Sequence, residues 1–380
     1  NDIYLARFNN ESTIHIPISI NGNEGFIVMN NDILNITSDI YKADKKLSML
    51  IQGMPAIATQ QFTMKNLVDE IKITNDIEGV RSTRKEINAL LNSQNANKIQ
   101  KRLYGLVQRY KMILSEEEIN ISTCKNIRDI YDDLVLKDVL KEEPDNIPDG
   151  LYFRKDSVSV QGPDLKVIHY GVMPEEKIIE YLDEGLKLFN GKVNKLVAIA
   201  AFHYLFGYIH PFYDGNGRLS RFISSYYLSK ELNVLSGLSI SYTIKEQIKD
   251  YYKSFTIVND EKNKGDITPF VLMFLDIVSQ SMDRLTTILQ NKKEQLEFYY
   301  NKIGSIYEEE KICNILFVLT QNTLFGEEGM DVEQISMAIG ASVSSVRNYI
   351  KLFEKDMFII NQLGRKKLYD INLDYLSSKA

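Results

Sequence analysis

The run from His210 to Arg221 most constrains the fold, because it must separate two strongly helical stretches. Residues 192–209 and 217–232 both show helical apolar spacing. Pro211 disfavours a helical conformation for the residue before it, and the Asp-Gly-Asn-Gly sequence at 214–217 allows a sharp turn. A glycine-rich turn that leads into a helix binds anions well, since free N–H groups and the positive end of the helix dipole converge there.

Charged side chains surround this predicted turn. Arg218 and Arg221 are three residues apart on the second helix, so they are neighbours on one face and suit a polyphosphate better than a single phosphate. Asp214 suits Mg²⁺, which prefers a carboxylate together with phosphate oxygens and waters. His210 stands at the rim of the turn, where an ordinary pKa near neutrality would fit a general base.

The composition is that of a globular protein with more than one domain. The chain has 380 residues, of which 44% are apolar and 25% are charged, so two or three domains are expected. No apolar stretch reaches the length of about eighteen residues that a membrane span needs. The two cysteines do not form a disulfide framework, and we therefore expect a cytoplasmic protein with no membrane partner.

Several classes of function are disfavoured by what the sequence lacks. The net charge of −6 argues against a chain that mainly coats nucleic acid. Neither an HExxH zinc motif nor a GxxxxGK[ST] or GxGxxG phosphate loop is present. A nucleotide site must therefore use the turn at 214–217.

Apolar spacing predicts a mainly α-helical chain with a short β-hairpin. Helical spacing recurs over residues 39–57, 64–91, 96–114, 174–190, 192–209, 217–232, 244–258 and 268–307. Residues 151–171 instead alternate apolar and polar side chains around Gly162-Pro163-Asp164, which predicts the hairpin. We expect an N-terminal region at 1–95 and a core domain at 96–290.

The C-terminal residues 305–380 have a different pattern. Residues 332–339 and 342–355 both have helical apolar spacing, and a Gly-Ala turn lies between them. The pattern of residues 358–371 predicts two strands around a basic turn. A helix-turn-helix followed by a hairpin predicts a winged helix-turn-helix domain.

The sequence HPFYDGNGRLSR at 210–221 matches the motif HxFx[D/E]GNGRxxR at every defined position, and through it the chain resembles the Fic family over residues 98–283. The resemblance implies a Fic-type helical bundle with a β-hairpin flap, and transfer of AMP from ATP to a Ser, Thr or Tyr hydroxyl of a protein. His210 would deprotonate that hydroxyl, and Asp214 would bind Mg²⁺. The implied phosphate ligands are Gly215, Asn216, Gly217 and Arg218 for the α- and β-phosphates, and Arg221 for the γ-phosphate.

The resemblance also implies where adenine and the target protein bind. The predicted hairpin falls where the family keeps its flap, which pairs with the target backbone as an added strand. The implied target-docking residues are Val167, Ile168 and His169. Tyr252 and Asn259 occupy positions where family members contact adenine.

Residues 74–79 match the inhibitory motif [S/T]xxxE[G/N] of the family. Thr74 and Glu78 are four residues apart and share one helix face, and Gly79 suits the end of that helix. The resemblance implies that Glu78 forms a bidentate pair with Arg221 and removes this arginine from the γ-phosphate. In some family members this glutamate also helps water to remove AMP from a target. The sequence leaves that activity, and auto-modification, open.

Two other functions stay open. The same fold could transfer another group, such as phosphocholine, UMP or a phosphoryl group. Alternatively, the C-terminal module could make the chain a DNA-binding regulator. Its candidate contacts are Arg347, Asn348 and Lys351 on the second helix and Arg365, Lys366 and Lys367 in the wing. From Met330 to Ala380 there are seven Lys and Arg against six Asp and Glu, a net charge of +1, which favours protein docking or homodimerisation over DNA.

Overall fold

The computed structural model describes residues 2–91, 102–161 and 167–379. Two compact units form: the first comprises Asn1–Lys45 and Leu67–Asp283, and the second Lys46–Asn66 and Arg284–Ala380. The described residues are mainly helical, as predicted, with three two-stranded antiparallel sheets. None of the helices in these ranges is long and apolar enough to cross a membrane. The domain boundaries expected from sequence stay a prediction.

The helices follow in chain order. They are α1 (Asp2–Phe8), α2 (Asn31–Gln52), α3 (Ala56–Ile77), α4 (Arg84–Leu91), α5 (Tyr104–Leu114), α6 (Cys124–Tyr131), α7 (Lys137–Glu142), α8 (Glu175–Asn190), α9 (Lys195–Ile209), α10 (Asn216–Glu231), α11 (Val234–Gly237), α12 (Ile240–Glu246), α13 (Ile248–Val258), α14 (Thr268–Ile306), α15 (Glu310–Phe325), α16 (Val332–Ile339), α17 (Val343–Ile350) and α18 (Leu373–Ser378). The single helical run predicted over 64–91 is two helices, because the chain turns at Gly79 with φ +72°.

A hairpin near the N-terminus was not predicted. Strands β1 (Thr13–Ile20) and β2 (Asn23–Val28) pair around Asn21 and Gly22, whose φ values are +48° and +82°. An Asn-Gly pair next to alternating isoleucines is a strong hairpin signal, since both turn positions need positive φ. The edge of β2 is covered by residues before α14: the Phe26 N–H donates to Gly265 O at 3.0 Å.

Helices α9 and α10 lie at the centre of the first unit. All of α9 is buried except Lys195 and Gly207, as expected for a helix that is apolar all round. The Asn194 side chain caps its start by accepting from Leu196 N and Val197 N. Helix α10 packs against α9 and is buried along most of its length. The loop between the two helices is therefore held by two rigid elements.

The predicted mid-chain hairpin is present as β3 (Ser159–Gln161) and β4 (Val167–Tyr170). Its turn, at 162–166, lies outside the described residues. The segment that follows the hairpin is attached to α9, because the Val172 N–H donates to Ile209 O at 3.0 Å. This flap therefore starts and ends beside the loop that follows α9.

The C-terminal part of the second unit has the element order expected from sequence. Helix α16 begins with a capping box between Asp331 and Gln334 and ends at Gly340, whose φ is +66°. Helix α17 follows, and then β5 (Phe358–Leu363) pairs with β6 (Lys366–Ile371). Buried residues from these elements, among them Ile335, form one core with α15. The winged-helix interpretation of this order stays a prediction.

Candidate functional site

The loop between α9 and α10 is closed by its own side chains. His210 ends α9 with φ +53° and ψ +63°. The buried Asn216 amide then donates to Phe212 O at 2.7 Å and accepts from Phe212 N at 3.0 Å. Gly215 has φ +80°, and a Cβ there would lie 2.4 Å from Val135 Cγ1. The side chain of Asn216 therefore closes the loop with two hydrogen bonds, and its backbone N–H remains for a ligand.

The first turn of α10 has N–H groups that the helix does not use. The first backbone hydrogen bond onto α10 runs from Leu219 N to Gly215 O, at 3.1 Å. The N–H groups of Asn216, Gly217 and Arg218 consequently have no acceptor within the helix. Together with the positive end of the helix dipole, these N–H groups are suited to bind an anion; the anion site expected from the sequence stays a prediction.

Arg218 is buried between two carboxylates. Its Nη1 lies 3.2 Å from Asp138 Oδ2, and its Nη2 lies 3.4 Å from Asp214 Oδ2. Its Nε is buried and has no hydrogen-bond partner among the described residues, so at least one N–H of this guanidinium is unsatisfied. Asp138 comes from α7, eighty residues away in the chain, and no sequence signal connected it with the motif.

Arg221 is held by Thr74 and Glu78, the two residues of the predicted inhibitory motif. Its Nε donates to Thr74 Oγ1 at 2.8 Å, and its Nη2 donates to Thr74 O at 3.0 Å and to Glu78 Oε1 at 2.8 Å. The predicted bidentate pair with Glu78 is wrong, because Thr74 takes the second position of the guanidinium. The Glu78 carboxylate also covers the start of α10, since a Cβ on Gly217 would lie 2.2 Å from Glu78 Oε1.

A second acid on α3, which sequence analysis did not single out, lies near Arg221. Glu70 is 1% exposed, and it accepts hydrogen bonds from Ser241 N and Ser241 Oγ. Burial raises the pKa of Glu70 to about 7, against the opposing effects of the Ser241 hydrogen bonds and the Arg221 charge. The four-residue spacing of Glu70, Thr74 and Glu78 was a signal that could have found it.

His210 is a weaker base than predicted. Burial, together with the neighbouring His169 and Arg154, lowers the pKa of His210 to about 3, so the expected pKa near neutrality is wrong. The imidazole is neutral at physiological pH as a result. Its Nδ1 lies 3.4 Å from Gly207 O. Because a carbonyl can only accept, Nδ1 carries the proton and Nε2 has a free lone pair.

A cavity of about 210 Å³ brings half of the predicted site residues together. Its wall consists of Glu78, Ser159, Val160, His169, Gly207, His210, Asn216, Gly217, Ser220, Arg221, Tyr251, Tyr252 and Phe255. Tyr252 is therefore beside the motif. Asn259 is not part of the described wall: its Oδ1 accepts from Tyr204 Oη at 2.7 Å and its Nδ2 lies 3.2 Å from His169 Nδ1.

Two of the predicted docking residues of the flap, Val167 and His169, differ in their surroundings. Val167 is 47% exposed and remains available to a partner. His169 faces inward, because its Nε2 contacts Tyr208 O at 2.9 Å and its ring stacks on Tyr208. The side chain of Ile168 lies outside the described residues.

The surroundings of Asp214 fit a magnesium ion that is shared with phosphates. Asp214 Oδ1 accepts from Gly215 N at 2.6 Å, and the side chain is 39% exposed. No cluster of three or more His, Cys, Asp or Glu residues in the described part of the chain could hold a metal ion. A single accessible carboxylate beside an anion site matches the way Mg²⁺ binds, with phosphate oxygens and waters as its other ligands.

Comparison with known proteins agrees with this site. The profile of the Fic/DOC family matches residues 122–228. The protein adenylyltransferase Fic of Drosophila mojavensis is 34% identical over 121 residues, which cover 32% of this chain and 21% of that protein. Its counterpart in Drosophila grimshawi is 35% identical over 81 residues, which cover 21% of this chain and 15% of that protein. The chain thus spans about a fifth or less of the length of these curated relatives.

A solved structure extends the likeness to nearly the whole chain. The crystal structure of a Fic family protein from Desulfovibrio desulfuricans G20 superposes with a TM-score of 0.53 and 17% identity, and covers 93% of this chain and 98% of that one. At this identity the likeness shows the fold. The chain contains a domain of the Fic/DOC family at residues 122–228, and its fold is Fic-like.

Proposed function

We propose that the chain is a protein adenylyltransferase, which transfers AMP from ATP to a Ser, Thr or Tyr hydroxyl of a protein. The observation that carries this proposal is the meeting of His210, the free amides of α10 and Arg221 in one cavity. A base, an anion site and a guanidinium are the groups that phosphate transfer to a hydroxyl needs. The relatives named protein adenylyltransferase support AMP as the transferred group.

The base in this reaction is the neutral imidazole of His210. Its Nε2 takes the proton of the target hydroxyl, while its Nδ1–H continues to donate a hydrogen bond to Gly207 O. The hydroxyl oxygen forms a bond to the α-phosphorus. The bond between that phosphorus and the oxygen of the β-phosphate breaks, and pyrophosphate leaves with the electron pair. The target carries AMP as a phosphodiester.

The N-terminus of α10 stabilises the charge that develops on the α-phosphate. The N–H groups of Asn216, Gly217 and Arg218 bind its oxygens, and the guanidinium of Arg218, held by Asp138 and Asp214, adds positive charge beside them. Arg221 binds the γ-phosphate once it is released from Glu78. Mg²⁺, bound at Asp214, would neutralise phosphate charge, and Tyr252 lies where adenine would stack.

Glu78 restrains this activity in two ways. It takes one donor of Arg221, and it occupies the space above Gly217 where a phosphate oxygen must come. Glu78 also lines a second cavity, of about 430 Å³, whose wall includes Arg218 and Asp214. Glu78 therefore lies between the cavity that contains Tyr252 and Arg221 and the cavity that contains Arg218. If Glu78 moved away, the triphosphate of an ATP whose adenine lies beside Tyr252 could reach both Arg221 and Arg218. ATP bound before withdrawal would have its γ-phosphate misplaced, so transfer would be weak.

The position of the label decides between AMP transfer and the other possible reactions. The Glu78→Gly variant is incubated with ATP labelled at the α- or the γ-phosphate, and then with UTP or CDP-choline, and its mass is measured. The proposal expects incorporation of the α-label alone and a mass gain of one AMP. Incorporation of the γ-label, UMP or phosphocholine would contradict it and assign the other donor. Because the chain itself offers hydroxyls, auto-modification serves as the readout before a target is known.

For the C-terminal module we propose protein docking. Arg347, Asn348 and Lys351 are exposed on and just after α17. In the wing, however, Lys366 Nζ pairs with Asp331 Oδ2 at 2.5 Å and with Glu333 Oε2 at 3.0 Å. Acidic partners on a wing lysine weaken its attraction to phosphates, which supports docking of protein over DNA.

A further inference from the structure

Arg154, which lies outside the motif at 210–221, contacts the loop between α9 and α10 and the residues on either side of the flap. Arg154 is fully buried. Its guanidinium donates to four backbone carbonyls, those of Asp156 (2.7 Å), His210 (2.8 Å), Val172 (2.9 Å) and Ile209 (3.3 Å). None of the ion pairs formed by the described residues includes it. A buried guanidinium that bonds to carbonyls is costly to desolvate, and burial lowers the pKa of Arg154 to about 10.

These four carbonyls belong to three separate segments. Ile209 and His210 end α9, Asp156 leads into the flap, and Val172 follows it. The backbone adds to the same junction, because the Arg154 N–H donates to Pro211 O at 3.1 Å. Arg154 is therefore bonded to the carbonyl of His210 and to the carbonyl after it.

This junction acts on a strained residue. The φ of His210 is +53°, a conformation that side-chain-bearing residues rarely adopt and that persists only where surrounding contacts impose it. The backbone carbonyl of His210 accepts from Arg154 Nε at 2.8 Å, so the guanidinium contacts the peptide bond that follows this residue.

The space around the guanidinium admits little change. A Cβ on Gly171 would lie 2.2 Å from Arg154 Nη2. Glycine at this position thus leaves room for the contact between the arginine and the carbonyl of Val172. A side chain at position 171, just after the flap, would therefore displace the guanidinium of Arg154.

We infer that Arg154 is a positioning residue for the transfer reaction: its guanidinium holds the His210 backbone in the strained conformation that aims the imidazole, and joins the flap to it. The inference rests on the proposed function, in which His210 is the base. Its positive charge has a second effect, because it disfavours the protonated form of the imidazole. Burial and His169 lower the pKa of His210 more than Arg154 does, so the main effect of Arg154 is on the orientation of the imidazole.

The test compares Arg154→Met and Arg154→Lys, each combined with Glu78→Gly, which removes the proposed inhibitory contact to Arg221. We expect Arg154→Met to lower kcat about 100-fold, since misplacing a reacting group by about 1 Å has that effect. The KM for ATP should change little, because the phosphate ligands lie on α10. Arg154→Lys keeps the charge but cannot reach four carbonyls, so its kcat should fall in between. Arg128→Met is the matched control, because Arg128 donates to Tyr152 O at 2.9 Å but to no residue of the loop.

A second readout does not depend on activity. The chain has four histidines, so their imidazole NMR signals can be assigned with one variant each. The His210 signal should shift in Arg154→Met and keep its position in Arg128→Met, because loss of the Arg154 guanidinium changes both the orientation of the imidazole and the charge beside it. An unchanged kcat and an unchanged His210 signal in a folded Arg154→Met protein would overturn the inference.

Two further outcomes are separable. If Arg154→Met does not fold, Gly171→Ala displaces the guanidinium without removing it, and must lower kcat in the same way. A Gly171→Ala protein with the kcat of its parent would then overturn the inference. If the Glu78→Gly parent transfers no AMP at all, the proposed function fails, and the His210 signal alone decides whether Arg154 sets the state of the imidazole.

Discussion

The guanidinium of Arg221 is shared between Thr74 and Glu78: Nε lies 2.8 Å from Thr74 Oγ1, and Nη2 lies 2.8 Å from Glu78 Oε1. Arg221 itself is 1% exposed, whereas the Glu78 side chain is 21% exposed. The acid is thus the accessible member of the pair. Loss of Glu78 leaves Arg221 anchored by Thr74 and free to bind a ligand through Nη2.

We expect Glu78→Gly to raise auto-modification about 10- to 100-fold over the unmodified sequence, because a hydrogen bond between charged groups contributes about 1.5–3 kcal/mol and each 1.4 is tenfold. Arg221→Ala should not be activated, since it also loses the γ-phosphate ligand. The double variant should behave like Arg221→Ala. Label transfer at equal protein concentration measures all three.

A matched control for this release is Glu246→Gly, because Glu246 is an exposed glutamate at the end of α12. It should leave transfer unchanged. Equal activity in Glu78→Gly and the unmodified chain would mean that residues 74–79 only end a helix.

His210→Ala should reduce transfer about 10²- to 10⁴-fold while ATP still binds, since a general base contributes this much and acts on the hydroxyl alone. The comparison is made in the Glu78→Gly background, with calorimetry for ATP affinity. His15→Ala, on the N-terminal hairpin, should have no effect. Transfer retained by His210→Ala would exclude His210 as the base.

Asp214→Ala should lower transfer at least about tenfold, and added Mg²⁺ should restore it poorly, because Asp214 is the proposed protein ligand of the ion and no cluster of three or more His, Cys, Asp or Glu residues in the described part of the chain could replace it. A magnesium titration of kcat measures the effect, and Asp145→Ala, at an exposed position, is the control. Identical titrations for Asp214→Ala and the parent would contradict the assignment.

Glu70 should make the stability of the protein depend on pH. Burial raises the pKa of Glu70 from 4.5 to about 7 in the folded state, so folding takes up a proton between these values. The stabilisation is complete below pH 4.5 and is lost as the pH rises through 7. Relative to Glu70→Gln, the unmodified protein should therefore lose about 3 kcal/mol of unfolding free energy between pH 4.5 and 8. Urea unfolding at several pH values measures this difference, and a constant difference would refute the prediction.

The C-terminal module should not bind DNA tightly. At about 150 mM salt, the full chain should bind labelled duplexes no better than about 10⁻⁶ M and without sequence preference. Arg347→Glu with Lys351→Glu should change this little. Tight, selective binding that the double variant abolishes would assign DNA to the module instead.

The local features of the site could be predicted from sequence because they depend on neighbouring residues. Pro211 and Gly215 determine where α9 ends and α10 begins, and the anion site follows from that turn. The spacing of Thr74 and Glu78 likewise placed both on the face that meets Arg221. The Asn-Gly turn of β1 and β2 was equally local, and could have been predicted in the same way.

Only the tertiary structure decided which distant groups complete the site. Asp138 beside Arg218, Glu70 near Arg221 and Arg154 on the His210 carbonyl come from segments far away in the chain, and nothing in their own neighbourhoods marks them. The low pKa of His210 arises in the same way, because burial and a neighbouring cation are properties of the packed core. The sequence determined where the turn lies and which reactive side chains it has. Folding determined the protonation state of His210 and the contacts that orient the site residues, since desolvation and long-range contacts exist only once the helices have packed.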